Sequence, residues 1–196
     1  MRLGAASDFT GAEASFRQAV GLAPDEPYPH YELGYTLTLV GRYEEGLEEF
    51  RGAYELAGPL LLVETEIWLC EQVLNGSLDE ADVGMLRELQ WIVDAGGAES
   101  EEALALSERV IDSVPECALA QFHYGKAIIE RDPSTAEDAL RRCIQLNPDD
   151  TTAINAKSHV AILCRKAGRD DEARRIQEEI LADYPEHPLT AFAKLA

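Results

Sequence analysis

The sequence predicts an all-α protein, a solenoid of stacked antiparallel helix pairs read as one domain over residues 1–196. Three observations carry that expectation. First, prolines recur as a ruler: Pro24, Pro59, Pro115, Pro148 and Pro185 are separated by 35, 56, 33 and 37 residues. Second, a triplet at constant spacing stands ahead of each one. The triplets are Ala12, Phe16 and Ala19; Gly46, Phe50 and Ala53; Ala103, Ser107 and Val110; Ala136, Leu140 and Cys143; Ala173, Gln177 and Ile180. Third, no stretch reads convincingly as a strand.

Steps of four and three put each triplet on one stripe of a helix. The small residue opening the stripe lets a neighbouring helix approach closely, the next residue usually supplies bulk, and the proline stops the helix. In chain order, residues 8–26 read as the second helix of an incomplete repeat. Residues 27–59 form a full repeat, with Leu33, Gly34 and Leu37 on the first helix, a turn at Gly41, and the acidic second helix "YEEGLEEF". Residues 60–117 are expected to be an irregular three-helix segment with degenerate repeats, its helices at about 60–75, 79–95 and 100–114, because the phase there slips by one helix plus a turn beyond whole repeats. Residues 118–150 repeat the unit through Tyr124, Gly125 and Ile128. Residues 151–186 repeat it through Val160, Ala161, Cys164 and the turn at Gly168. "HPLTAFAKLA", 187–196, begins like a terminal first helix. Neither helix of a unit buries its apolar stripe alone, so the units must stack. The bare half-unit at the start reads either as part of a longer array or as an atypical terminal repeat.

The unit length of about 34 residues and its linked positions resemble the tetratricopeptide repeat. Residues 27–60 carry the likeness best, through Leu33, Gly34, Gly41, Tyr43, Gly46, Phe50, Ala53 and Pro59. Ser107 and Gln177 depart from it, standing where the family prefers a large apolar residue. The resemblance implies a right-handed superhelix whose first helices line a concave surface for an extended peptide or a partner helix. It therefore implies a protein–protein adaptor or scaffold. The sequence shows no nucleophile motif, no H-E-x-x-H and no glycine-rich phosphate loop after a strand, so neither an enzyme nor a cofactor is expected. The alternative is an assembly module that self-associates through its repeat ends or middle helix.

On that surface the first full repeat offers Tyr28, Tyr31, Tyr35 and Thr38, at steps of three, four and three. Tyrosine combines a broad apolar face with a hydroxyl at low entropy cost and is favoured in binding surfaces. Burial between neighbouring first helices is the competing reading. The later repeats offer Phe122, His123 and Lys126, then Asn155 and His159. The amide of Asn can both donate to and accept from a peptide backbone. Lys126 and Asn155 look superficially like the family's clamp for chaperone tails. Tyr31 and Tyr35 occupy the places of that clamp's first Lys and Asn, so such a clamp is not expected. An anchor of aromatic or aliphatic character with an acidic group near Lys126 fits better. His123 and His159, even with Glu130, do not make a spacing that demands metal.

The chain is 46% hydrophobic, enough for a continuous core, and carries a net charge of −20. Residues 1–100 hold 19 acids against 5 bases, all arginine, whereas residues 101–196 hold 18 against 12. This acidity argues against nucleic acid and anionic membranes as partners. No apolar run approaches the length of a membrane span, and "MRLGAASDF" lacks the core of a signal peptide. Cys70, Cys117, Cys143 and Cys164 stand singly and read as buried thiols in a reducing cytoplasm. A protein or peptide partner is expected, with the chain itself a monomer or weak homodimer.

Overall fold

The computed structural model describes residues 9–58, 63–97, 100–146 and 148–190. They form ten α-helices and no strand: α1 (Phe9–Leu22), α2 (Pro27–Thr38), α3 (Tyr43–Ala57), α4 (Val63–Leu74), α5 (Glu80–Ile92), α6 (Glu101–Ser113), α7 (Ala118–Ile128), α8 (Pro133–Gln145), α9 (Asp150–Lys166) and α10 (Asp170–Asp183). A π-helical turn, Val93–Gly97, closes α5, with Gly96 at φ 84°. The chain divides into two compact units, Met1–Glu80 and Ala81–Ala196. Pro59 and the start of the expected helix at 60–75 lie outside the described residues, as does most of 187–196. What is described of that last stretch is a turn, held by the Thr190 hydroxyl donating to the Tyr184 carbonyl at 2.6 Å.

In the first unit each helix packs on the next, α1 on α2, α2 on α3 and α3 on α4. The contact between α2 and α3 is close because both helices bring glycine to it. A Cβ on Gly34 would sit 3.0 Å from the Gly46 carbonyl and from the Phe50 ring. Phe50, Leu33, Leu37 and Ala53 are consequently buried, and Tyr43, Leu47, Phe50 and Cys70 form one apolar cluster. The second unit repeats the device between α7 and α8, where a Cβ on Gly125 would lie 2.9 Å from Leu140 Cγ and 3.1 Å from the Ala136 carbonyl. In that unit α6 packs on α7, α8 on α9 and α9 on α10. The Ser113 hydroxyl ties α6 to α5 through Asp82 at 2.9 Å.

Two backbone devices recur. The first helices α2, α4 and α9 end on Gly41, Gly76 and Gly168, at φ 79°, 79° and 74°. Beyond each glycine an N–H reaches back to a carbonyl five residues earlier: Arg42 to Leu37, Ser77 to Gln72 and Arg169 to Cys164. Such a left-handed residue costs glycine nothing and closes the helix. After the second helices α1, α6 and α10 come β-turns at Ala23–Glu26, Val114–Cys117 and Tyr184–His187, each closed from the fourth residue's N–H to the first carbonyl. Proline stands second in all three, where its fixed φ suits the turn.

The two departures from the repeat pattern are both satisfied. Ser107 is fully buried, and its hydroxyl donates to the Leu104 carbonyl at 2.8 Å. Gln177 is half-buried and accepts from the Arg165 guanidinium at 2.7 Å. The four cysteines are buried free thiols. Among the described residues no helix is long and apolar enough to cross a membrane.

Candidate functional site

Glu26 stands at the N-cap position of α2 without a side-chain capping bond, and Pro27 opens the helix, a residue whose missing N–H needs no partner there. Steps of four, three and four then align Tyr28, Glu32, Tyr35 and Leu39 on one stripe. Tyr28 is 66% exposed and Leu39 is 42% exposed. The Tyr28 hydroxyl donates to the Glu32 carboxylate, whose bond and charge hold it above the ordinary phenol range. Beside the stripe Tyr31 stacks on Tyr35, with ring centroids 6.4 Å apart and planes 19° apart. Tyr31 also tilts onto Phe50 at 5.7 Å, and both Tyr31 and Tyr35 are partly buried against the core cluster.

Thr38 corrects the sequence reading. It is 2% exposed, its hydroxyl donates to the Tyr35 carbonyl at 2.9 Å, and its methyl faces Gly46. It therefore packs between α2 and α3 and does not face solvent. Counting steps of three, four and three led off the open face at Thr38 and missed Glu32 and Leu39. The signal that finds them is the single stripe begun by Tyr28.

In the second unit, Phe122 and His123 are buried on α7, with 7% and 3% exposure. This too is a correction, since neither side chain is open to a partner. Phe122 instead gathers polar neighbours around its ring. The His123 ring lies 5.4 Å away, the His159 ring on α9 lies 6.3 Å away, and the Lys126 ammonium stands 5.3 Å over its centre. Both His123 ring nitrogens are buried and make no hydrogen bond among the described residues. Burial first, and the Lys126 charge second, push the His123 pKa down to about 3 and that of His159 to about 4. Lys126, Asn155 and His159 remain half-buried, and Ile162 and Arg165 are exposed. Glu130, the third residue weighed beside the two histidines, accepts from Lys166 at 2.8 Å.

The first helices of the two units carry opposite charge. α2 and α4 contain Glu32, Glu64, Glu66 and Glu71 and neither lysine nor arginine, whereas α7 and α9 contain Lys126, Lys157, Arg165 and Lys166 against Asp150. In the first unit Arg17 and Arg42 pair with Glu13 and Glu45, and Arg51 pairs with Glu71 at 2.9 Å. In the second unit an ion-pair clamp joins α8 to α10 and to Arg169 at the N-terminal boundary of α10. Arg141 bonds Glu137 at 2.8 Å and Glu172 at 2.6 Å, and Arg169 bonds both carboxylates. These bonds hold Glu137 and Glu172 below the ordinary carboxylate range. Glu137, Cys164 and Glu172 bring ligand atoms within 4.8 Å of one another, but the arginines already occupy both carboxylates. That cluster is a fastening between helices.

Residues 1–59 match the family model of the tetratricopeptide repeat. Among solved structures the chain is similar to YrrB, described as a TPR protein with an unusual peptide-binding site. Identity is 14% over 94% of this chain and 100% of that one, with a TM-score of 0.48. It is similar to TTC0263, a thermophilic TPR protein of Thermus thermophilus, at 20% identity over 96% and 91% of the two chains and a TM-score of 0.42. The TPR2AB domain of yeast Sti1, solved in complex with pHSP90, is similar at 11% identity over 96% and 77%, with a TM-score of 0.49. No curated protein matches the chain in sequence.

Proposed function

From the match of residues 1–59 to the family model of the tetratricopeptide repeat, we propose that the chain is a repeat protein of that kind and a protein–protein adaptor acting by recognition, without catalysis. Its stacked helices hold a preformed surface, and side chains on the first helices select an extended peptide or a helix of a partner protein. The observation that carries this reading is the stripe of α2 on which Tyr28 and Leu39 stand exposed at either end of the half-buried Glu32 and Tyr35, Tyr35 packing against the core cluster on its inner side. Exposed aromatic side chains beside polar ones are what binding surfaces are made of. Asn155, half-buried with no hydrogen bond to its amide among the described residues, is suited to a partner's backbone. The net charge of −20 disfavours nucleic acid and anionic membranes as partners, and free buried thiols suit the cytoplasm.

The test compares immobilised wild-type chain with a Tyr35→Ser/Lys126→Glu variant of equal helicity, each incubated with lysate of the source cells. A protein retained by the wild type and lost by the variant supports the reading. Equal retention by both moves recognition away from the first helices. One observation favours a second reading, self-association: Trp91, on the middle helix α5, is 59% exposed. Sedimentation over a range of concentrations separates the two, because an assembler gains mass with concentration and an adaptor does not.

A further inference from the structure

Within that adaptor reading, on which this inference rests, the α2 face has a chemistry that selects its ligand. We propose that it docks a basic segment of a partner protein, an extended stretch bearing lysine or arginine beside an apolar anchor. The cation would lie against the Tyr28 ring and between the carboxylates of Glu32 and the turn before α2. Tyr28 offers a ring face at 66% exposure, and Glu32 sits one helical turn further along the same stripe. A cation over such a ring is attracted by its negative face, weakly at an exposed site and more strongly once water is excluded. Asp25 and Glu26, in the turn leading into α2, are exposed and unpaired among the described residues.

The described arginines of this unit are committed elsewhere. Neither α2 nor α4 carries lysine or arginine. Arg17, Arg42 and Arg51 are held by Glu13, Glu45 and Glu71. His30, the one basic residue of α2, is engaged by the Glu49 carboxylate at 2.7 Å and the Pro24 carbonyl at 3.1 Å. Glu32 has no basic partner among the described residues. An incoming cation therefore displaces no existing ion pair on this stripe, whereas an acidic tail meets carboxylates with nothing to oppose them. Leu39, 42% exposed at the far end, supplies the contact for the apolar anchor. Single exposed ion pairs are weak and salt-screened, so affinity comes from the ring contact and several charges together.

The experiment uses the full chain and a fluorescein-labelled peptide rich in lysine and arginine with one leucine, followed by fluorescence anisotropy at low and at physiological salt. Its comparison is the same peptide with every lysine and arginine replaced by glutamate. The basic peptide is expected to bind, the acidic one not, and affinity to fall as salt rises. Tyr28→Ala is expected to weaken binding about five- to tenfold, in keeping with a partly desolvated cation–π contact. Glu32→Gln should weaken it by about threefold. Glu48→Gln, an exposed change on α3, should leave it unaltered. Both stripe substitutions are at surface positions, and circular dichroism checks their fold. The inference is overturned if the acidic peptide binds as well as the basic one or if neither binds. It is equally overturned if Tyr28→Ala and Glu32→Gln bind the basic peptide like wild type, since diffuse acidity alone would then explain the attraction. A lysate protein still lost by the Tyr35→Ser/Lys126→Glu variant would, in any of these cases, leave the adaptor reading standing.

Discussion

A neutral imidazole carries one donor and one acceptor, and at His123 neither meets a partner among the described residues. Its pKa is pushed down to about 3, so the unfolded chain, with an ordinary value near 6.5, binds the proton first. Stability therefore falls as the pH drops below about 6.5, by roughly 2 kcal/mol at pH 5 from this residue. The carboxylates do not blur that window. Glu13, Glu45, Glu137 and Glu172 are all held below their usual values, so the stability they add is lost only at lower pH. Urea unfolding of wild type and His123→Leu at pH 7 and pH 5 checks this. The wild type should lose stability across the interval and the variant should lose about 2 kcal/mol less; equal losses would count against the account. Nothing in the spacing of residues hints at this state. His123 lies next to Phe122 on a helix, and one position around that helix separates an open side chain from a buried one. The same ambiguity turned Thr38 inward, while Tyr28 was readable because it begins its stripe.

Between helices, small residues decide the spacing. A Cβ on Gly46 would lie 2.5 Å from the Thr38 methyl and 3.1 Å from the Gly34 carbonyl. Alanine would improve helix propensity by about 1 kcal/mol, and overpacking would cost about 1–3 kcal/mol. Overpacking wins, because the obstacle is a buried methyl and a backbone oxygen. Gly46→Ala is thus expected to lower stability by about 1 kcal/mol, and Thr38→Ala in the same chain to recover part of the loss. Strictly additive urea midpoints for the two changes would show that the methyl is not the obstacle. This level was the most legible in the sequence. Glycine, aromatic and proline at linked spacings announce a helix, its close neighbour and its end, and Gly41, Phe50 and Pro115 each do what their chemistry requires. The pair Gly96 and Gly97 also reads as a helix-ending turn, and the helix expected over 79–95 does end there, stopping at Ile92 and closing with Gly96 at φ 84°. Only the π form of that last turn is marked by no periodicity of side chains.

At the scale of the whole molecule, charge is distributed by helix type as well as by chain half. The acidic excess of residues 1–100 is plain in the sequence, but which carboxylates arginines already hold depends on contacts between helices that no spacing reveals. Arg17 and Arg42, for example, share Glu13 and Glu45 across α1 and α3. The buried thiols lead to a different use of the fold. Cys70 sits in the first compact unit and Cys117, Cys143 and Cys164 in the second, all without disulfides. Burial raises the Cys117 thiol and pushes that of Cys143 up to about 12, so almost none is thiolate while the helices stay closed. Each is a stopwatch already installed in the chain, since a thiol reagent can react only when the surrounding helices part. Cysteine-by-cysteine modification, read by mass spectrometry under native conditions, should be far slower than that of a free thiol. It should accelerate when a ligand-free unit is loosened by mild denaturant, and slow again for Cys70 when a partner occupies α2.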